Sequence, residues 1–401
     1  MHHHLQDLVP APGQTADWPA LLDAYPALRA LAATPQDPVY HAEGNVEIHT
    51  RMVLDALCGS ADYRAASASE RFVMFHAAVL HDIAKPDTTV IDPQTGKIGQ
   101  PGHSRRGAID ARIALWRAGV PFEPREAICR IIAVHQVPFH ALGVNRAGHS
   151  PEFIVRRLSW ELDLHLLAAV AEADMRGRTC VTQANSLADI ELFRELAREE
   201  GCYRRPRAFV DERTRLAYFR GASVHPDYAL HHEPGAEVVV MCGLPASGKN
   251  TWVAEHCRDW PVVSFDDARD ELGLAHGKNE GAVAHLAIDK AKDLLRARRP
   301  FVFNATHLSG QMRKKSLDLV YNYAGRARVV YLEAPPDILF DRNHRRDTSL
   351  TNQAIERMLF RWEVPTPVEA EAVEYWMAAG KRGTLRQAQS ISCAPAVATP
   401  R

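Results

Sequence analysis

The hydrophobic period changes once along this chain, and that change limits the folds open to it. From Trp18 to about Tyr203 the apolar residues return at helical spacing. The stretches 46–57, 70–84, 104–118, 123–134, 151–158 and 160–175 read as amphipathic or buried helices, with turns at Pro93 to Gly96 and Val137 to Phe139. Beyond residue 235, short β-branched runs at 238–241, 262–265, 301–303 and 329–332 alternate with helical stretches. Nearly continuous apolar strands between helices imply a parallel sheet covered on both faces. The expected architecture is multidomain. It comprises a tail over 1–17, an all-α domain over 18–205, a connector over 206–235 with one short helix, an α/β domain over 236–380, and a flexible tail over 381–401.

Charge narrows the partners. Forty-eight Lys and Arg against 49 Asp and Glu give a net charge of -1, so a polyanion must be held by local basic clusters. Candidates are Arg204-Arg205-Arg207, Arg296-Arg298-Arg299 and Arg313-Lys314-Lys315. Seven scattered cysteines without a C-x-x-C pair suggest free thiols in a reducing compartment. No apolar run is long enough for a bilayer, and the start lacks a signal-peptide core, so a cytoplasmic protein without membrane attachment is expected.

Directly after the first β-branched run stands Gly243-Leu-Pro-Ala-Ser247-Gly248-Lys249-Asn250-Thr251. A strand, a glycine-bounded loop, a lysine and a helix start form a P-loop. Its backbone N–H groups surround a β-phosphate, and Lys249 reaches the β/γ oxygens of ATP or another NTP. The following position usually offers a Ser or Thr hydroxyl to Mg²⁺. Here Asn250 or Thr251 takes that role. The second strand ends in Ser264-Phe265-Asp266-Asp267-Ala268-Arg269, at the strand end that faces the ligand crevice. Asp266 suits a general base, Arg269 a phosphate contact, and Asp267 a helix cap. Asn304 and Thr306 end the third strand, available to orient a nucleophile or the Mg²⁺ shell. Arg342 and Arg346, four apart, would share one helix face and cover the triphosphate as a lid.

In the helical half, His81-Asp82 interrupts an apolar helix, with Lys85 one turn on. Burying an ionisable pair is unfavourable unless something compensates, and a metal ion does. Asn45 and His49 share a face upstream. His103, His135 and Asp174 follow, each within or at the start of its own apolar helix. Imidazole and carboxylate together suit Mn, Fe, Co, Ni or Zn. Lys85, Arg105 and Arg106 are candidate phosphate clamps. His41, His76, His140, His149 and His165 read as structural or surface residues, His41 being the one nearest the motif.

These motifs resemble known families. Residues 236–380, through the P-loop, Ser264-x-Asp266-Asp267-x-Arg269 and Arg342-Asn343-x-x-Arg346, resemble the polynucleotide 5′-kinase branch of P-loop phosphotransferases. The resemblance implies Asp266 as general base, Arg269 on the acceptor nucleotide's phosphate, and Arg346, with Arg342, on the NTP. The series His49…His81-Asp82…Asp174 resembles the HD phosphohydrolase signature, and His103 and His135 resemble the added ligands of its two-metal members. The words around His41–Thr50 and Ala171–Arg178 look most like the HD domain attached to bacterial tRNA nucleotidyltransferases. Together the two halves resemble the bacterial HD-Pnk family of RNA end-healing enzymes. That implies NTP-dependent phosphorylation of a polynucleotide 5′-OH, on RNA or DNA ends. It also implies hydrolysis of 2′-phosphate or 2′,3′-cyclic phosphate ends with a metal-activated water. An HD nucleotidase fused to a nucleoside or metabolite kinase, or a regulatory nucleotide-binding protein, are the alternatives.

Overall fold

A computed structural model describes residues 2–140, 148–231, 235–275, 277–346, 350–380 and 384–388. The chain divides into two compact units, Met1–Arg207 and Ala208–Arg401.

The first unit is helical apart from a two-residue antiparallel ladder of β1 (Val90–Ile91) and β2 (Ile98–Gly99). Its centre is the helix Ala68–Leu80, in which every residue from Phe72 to Leu80 is buried. A helix apolar all round has to be a core helix. It packs against Val46–Cys58, Phe122–Val134 and Leu164–Arg176. Ser67 and Glu70 start it with a reciprocal capping box.

Three expectations for this unit need correction. The helix expected over 70–84 stops at Leu80, and His81 to Ala84 form a turn before the short helix Lys85–Thr88. Pro86 explains the break, because it has no N–H to continue the ladder onto the Asp82 carbonyl. The segment 1–17 is not a loose tail. Leu5 and Leu8 are buried, the His76 Nε2–H donates to the Leu5 carbonyl at 3.1 Å, and Tyr63 Oη–H donates to the Pro10 carbonyl at 2.8 Å. Asn45 caps the Val46–Cys58 helix by accepting from Ile48 N–H at 3.0 Å, so its side chain closes a helix end.

The second unit is built on β3 (Glu237–Cys242), β4 (Val262–Ser264), β5 (Phe301–Asn304), β6 (Arg326–Glu333), β7 (Ala372–Ala379) and β8 (Thr384–Gln387). Their order is β4-β5-β3-β6-β7-β8, parallel except for β8. Strand β3 is central, and Val238 to Cys242 are all buried, as expected of a strand covered on both faces. Strands β7 and β8 escape the sequence reading. Both are half-exposed, and β7 carries Glu374, which pairs with Arg328.

Two boundaries also move. The connector expected over 206–235 joins the second unit from Ala208, and its helix is Glu212–Phe219. Buried Arg215 anchors that helix by donating to the carbonyls of Pro367, Ala370 and Glu371. Strand β8 falls inside the expected tail and pairs with β7. Residues 232–234 of the connector and 381–383 and 389–401 of the tail lie outside the described residues.

Candidate functional site

Helix ends build the first site. His81 and His135 each stand immediately after a helix, Ala68–Leu80 and Phe122–Val134. The last carbonyls of a helix have no intrahelical partner. Each imidazole reaches back to one of them, His81 Nδ1 to Ala78 and His135 Nδ1 to Ile132, both at 2.8 Å. His103, the first residue of helix His103–Arg117, likewise reaches three residues back, to the Gln100 carbonyl of the preceding loop at 2.8 Å. His49 lies inside its helix, and its Nδ1 is 3.2 Å from the Gly177 carbonyl and 3.1 Å from Glu43 Oε1. Carbonyls and carboxylates only accept, so each Nδ1 carries a hydrogen, and in the neutral imidazole each Nε2 is then a lone pair.

The four Nε2 atoms gather around two carboxylates. His49 Nε2 lies 3.3 Å from His81 Nε2, 3.1 Å from Asp174 Oδ1 and 3.6 Å from Asp82 Oδ2. His81 Nε2 is 3.1 Å from Asp82 Oδ2, His103 Nε2 is 3.5 Å from Asp82 Oδ1, and His135 Nε2 is 3.9 Å from Asp174 Oδ2. His49, His81 and Asp82 can each offer one atom to a common ion, as can Asp82, His103 and His135, with Asp82 shared; His41, Glu43 and His49 form a third such group on the outer side of His49. All six residues are buried.

In their neutral form these imidazoles turn acceptors toward one another and toward the two carboxylates. Two lone pairs face each other across 3.3 Å. Neither Asp82 oxygen, nor His135 Nε2, has a well-directed hydrogen bond. Buried acceptors turned on one another repel unless a cation lies among them, and imidazole with carboxylate suits a divalent transition metal. The donor set therefore fits such a metal. Electrostatics point the same way. Burial opposes ionisation of Asp82 and Asp174, yet the charges of His81 and Lys85 beside one, and of Arg178 beside the other, hold both carboxyls well below the usual range. Against the effect of burial, Asp82 in turn raises the His81 pKa, so this imidazole gives up a proton to become a ligand. Burial pushes the His135 imidazole down to about 3, keeping it neutral as a ligand must be.

The surroundings differ from expectation at several points. Lys85 is turned inward. It is 2% exposed, and its ammonium lies 2.7 Å from Asp82 Oδ2 and 2.6 Å from Gln36 Oε1. Arg106 is engaged by Asp110 at 2.8 Å, whereas Arg105 is exposed. Glu43, Gln36 and Arg178 all touch the cluster, and none was assigned a role from the sequence. Arg178 lies four residues after Asp174 and grips both its oxygens, at 3.0 and 2.8 Å. That spacing was legible. The Gln36 and Glu43 contacts come from tertiary packing. His76 is held by Leu5 and Tyr25, His165 sits 3.5 Å from Asp62, and His140 and His149 lie against Phe139 and Phe153.

The second site is the loop between β3 and helix Lys249–His256. A Cβ at Gly243, where φ is 142°, would lie 2.3 Å from the Leu332 carbonyl oxygen, so only glycine fits that crossing. Lys249 Nζ donates to the carbonyls of Gly243 and Leu244 at 3.0 and 2.9 Å, and desolvation pulls its pKa down to about 8. Ser247 is buried in the loop, and Gly248, with φ 109°, precedes the helix. Asn250 and Thr251 are exposed, and Asn304 Nδ2–H donates to Asn250 Oδ1 at 2.9 Å. Thr306 accepts at its carbonyl from Gly243 N–H at 2.9 Å.

Asp266 is open to solvent, and Arg269 bridges it, at 2.8 Å, to Glu280 at 3.0 Å. Neither aspartate caps the helix Phe265–Glu271. Ser264 Oγ does so by accepting from Asp267 N–H at 3.0 Å, because the strand ends one residue earlier than expected. Arg342 Nη1 lies 3.5 Å from the Ser247 carbonyl. The helix Pro336–Arg345 stops before Arg346, whose backbone is extended, so the two arginines do not share a helix face. Arg346 still lowers the Lys249 pKa through its charge. Among the basic clusters, Arg313 is buried and forms a two-pronged pair with Glu369 at 2.7 and 2.9 Å, so it is not a surface contact.

Residues 238–365 match the AAA domain family. Two curated relatives are both described as a multifunctional CCA protein. That of Halorhodospira halophila is 34% identical over 121 residues, 30% of this chain and 25% of the relative. That of Hahella chejuensis is 30% identical over 164 residues, 40% of this chain and 35% of the relative. The chain therefore matches only a quarter to about a third of their lengths. Similar solved structures include a Pnkp1/Rnl/Hen1 complex, at 20% identity and TM-score 0.27, covering 31% of this chain and 45% of that one. A gluconokinase from Sinorhizobium meliloti is 19% identical with TM-score 0.28, covering 37% and 86%. The chain combines a P-loop domain matching the AAA domain family with a helical N-terminal domain that is similar to part of the multifunctional CCA proteins and bears a His/Asp cluster able to hold metal.

Proposed function

We propose that this chain heals broken RNA ends at two sites, phosphorylating a 5′-OH in its second unit and hydrolysing 2′-phosphate or 2′,3′-cyclic phosphate ends in its first. The observation that carries the hydrolytic half is the convergence of His49, His81, His103 and His135 Nε2 on the buried carboxylates of Asp82 and Asp174. A divalent transition metal held there acidifies water and withdraws charge from a phosphoryl group. Asp82 belongs to two of the ligand groups and would be the shared ligand if two ions were held. Lys85 balances its charge, and Arg178 orients Asp174.

In the kinase half, the loop from Gly243 to Thr251 holds the NTP phosphates. Lys249 exchanges its two carbonyl partners for phosphate oxygens, and Arg342 and Arg346 cover the chain of phosphates. Exposed Asp266 takes the proton of the attacking 5′-OH, while Arg269 holds Asp266 in place and meets the acceptor's phosphate. Mg²⁺ supplies charge neutralisation between the phosphates, and the Asn250–Asn304 pair is the polar group nearest the usual ligand position.

An oligoribonucleotide with 5′-OH and 2′,3′-cyclic phosphate ends, incubated with ATP and several divalent metals, tests both halves. Label should enter the 5′ end, and phosphate should leave the other. Asp266→Asn should slow labelling by about 10²- to 10⁴-fold, the usual contribution of a general base. His81→Ala should abolish release and spare labelling. Labelling of mononucleosides in preference to oligonucleotides would move the chain to a small-molecule kinase instead.

A further inference from the structure

Three imidazoles of the cluster use the carbonyl three residues back, and His49 cannot. It sits in the first turns of an unbroken helix, where the Val46 carbonyl is occupied by Thr50 Oγ–H at 2.8 Å. Its orientation has to come from elsewhere. Glu43 lies on the loop before that helix, its carboxylate 2% exposed. Oε1 stands 3.1 Å from His49 Nδ1 and 2.8 Å from His41 Nδ1, and Oε2 accepts from Thr179 N–H at 2.7 Å. The Thr179 carbonyl returns a bond to Ala42 N–H at 3.0 Å. One carboxylate thus joins the loop before the His49 helix to the loop after Asp174.

We propose that Glu43 is a positioning residue for the metal centre: its carboxylate keeps the hydrogen of His49 on Nδ1, so that the Nε2 lone pair faces Asp82 and Asp174, while His41 braces the carboxylate from the other side. This rests on the metal-dependent reading of the cluster. The Gly177 carbonyl, 3.2 Å away, shares the Nδ1 hydrogen but is neutral. The carboxylate brings a full negative charge to the outer nitrogen and makes the inner one a stronger donor to a cation. Three N–H groups point at Glu43, so Gln cannot replace it. Its amide has one accepting oxygen, and its NH₂ would face a donor.

The test uses the full chain, Mn²⁺ as the probe, and imidazole nitrogen NMR on metal-free protein at alkaline pH. The His49 signal is the one that disappears in His49→Gln. The wild type should show His49 with hydrogen on Nδ1, and Glu43→Gln should show a substantial Nε2–H population. Calorimetric Mn²⁺ affinity should fall about 10- to 100-fold, the usual effect of losing an outer-shell partner. Excess Mn²⁺ should then restore phosphate release, which it would not do for a merely unfolded domain. Unchanged affinity and tautomer in Glu43→Gln overturn the assignment. Should that variant not fold, the wild-type spectrum decides, since a dominant Nε2–H form of His49 contradicts it. A wild type that binds no Mn²⁺ sinks the metal reading itself, and the tautomer comparison then judges Glu43 separately.

Discussion

A methyl group on Gly177 would fall 2.6 Å from Cγ2 of Val53 and 2.8 Å from its backbone nitrogen. Val53 lies one turn after His49 on the same helix, and the Gly177 carbonyl accepts from His49 Nδ1. The missing side chain therefore lets the end of Leu164–Arg176 approach the Val46–Cys58 helix closely enough for Asp174 to meet His49. Gly177→Ala forces the two apart. It should destabilise the first unit by about 1–3 kcal/mol, the typical cost of overpacking. Chemical denaturation measures that loss, and Mn²⁺ calorimetry should show weakened binding alongside it.

Among the described residues Asp82 belongs to two of the three possible ligand groups, as does His49, whereas His103 belongs to one. Metal should raise the unfolding temperature of the first unit, with a stabilisation of about 2.7 kcal/mol at about 100 times the dissociation constant. Asp82→Asn should remove the response altogether, and His103→Ala should remove only one component of a two-ion binding isotherm. An unaltered response in Asp82→Asn would contradict the shared role.

His307 carries a separate pH dependence in the second unit. Its Nδ1–H donates to the Met241 carbonyl at 2.7 Å, its Nε2 lies 2.9 Å from Ser316 Oγ, and burial pushes its pKa from 6.5 to about 4. Between those values the unfolded chain binds a proton that the folded chain refuses. Stability conferred by neutral His307 is complete above pH 6.5 and declines as pH falls toward 4, by about 3 kcal/mol over the whole window. Denaturation midpoints at pH 7 and pH 5 should differ more for the wild type than for His307→Gln, which stays neutral throughout.

Arg313 and its neighbours separate structure from nucleic-acid contact. Arg313 also donates to the carbonyls of His307 and Glu363, at 3.0 and 2.7 Å. Arg313→Lys loses the two-pronged grip on Glu369 and should destabilise the second unit by about 3 kcal/mol. Exposed Lys314 pairs with half-buried Asp318 at 2.6 Å, so Lys314→Ala should change stability by less than about 0.5 kcal/mol. Denaturation of both variants reads the contrast.

The sequence alone determined the change from helical to mixed architecture, the phosphate loop and the ligand types of the metal cluster. Those features depend on local order: the period of apolar residues, the glycine that lets β3 turn beneath the Leu332 carbonyl, and histidines placed at helix ends. Gln36 and Gly177 had no local signature, since their partners Lys85 and Val53 lie far along the chain, and nothing near Glu43 showed that its carboxylate also reaches Thr179. Lys85 and Arg313 carried the right charge for a surface role, but packing turned both inward onto carboxylates. Only the tertiary structure decided which donors and acceptors would meet. That outcome depends on how closely helices approach, and no residue's own neighbours in sequence contain that distance.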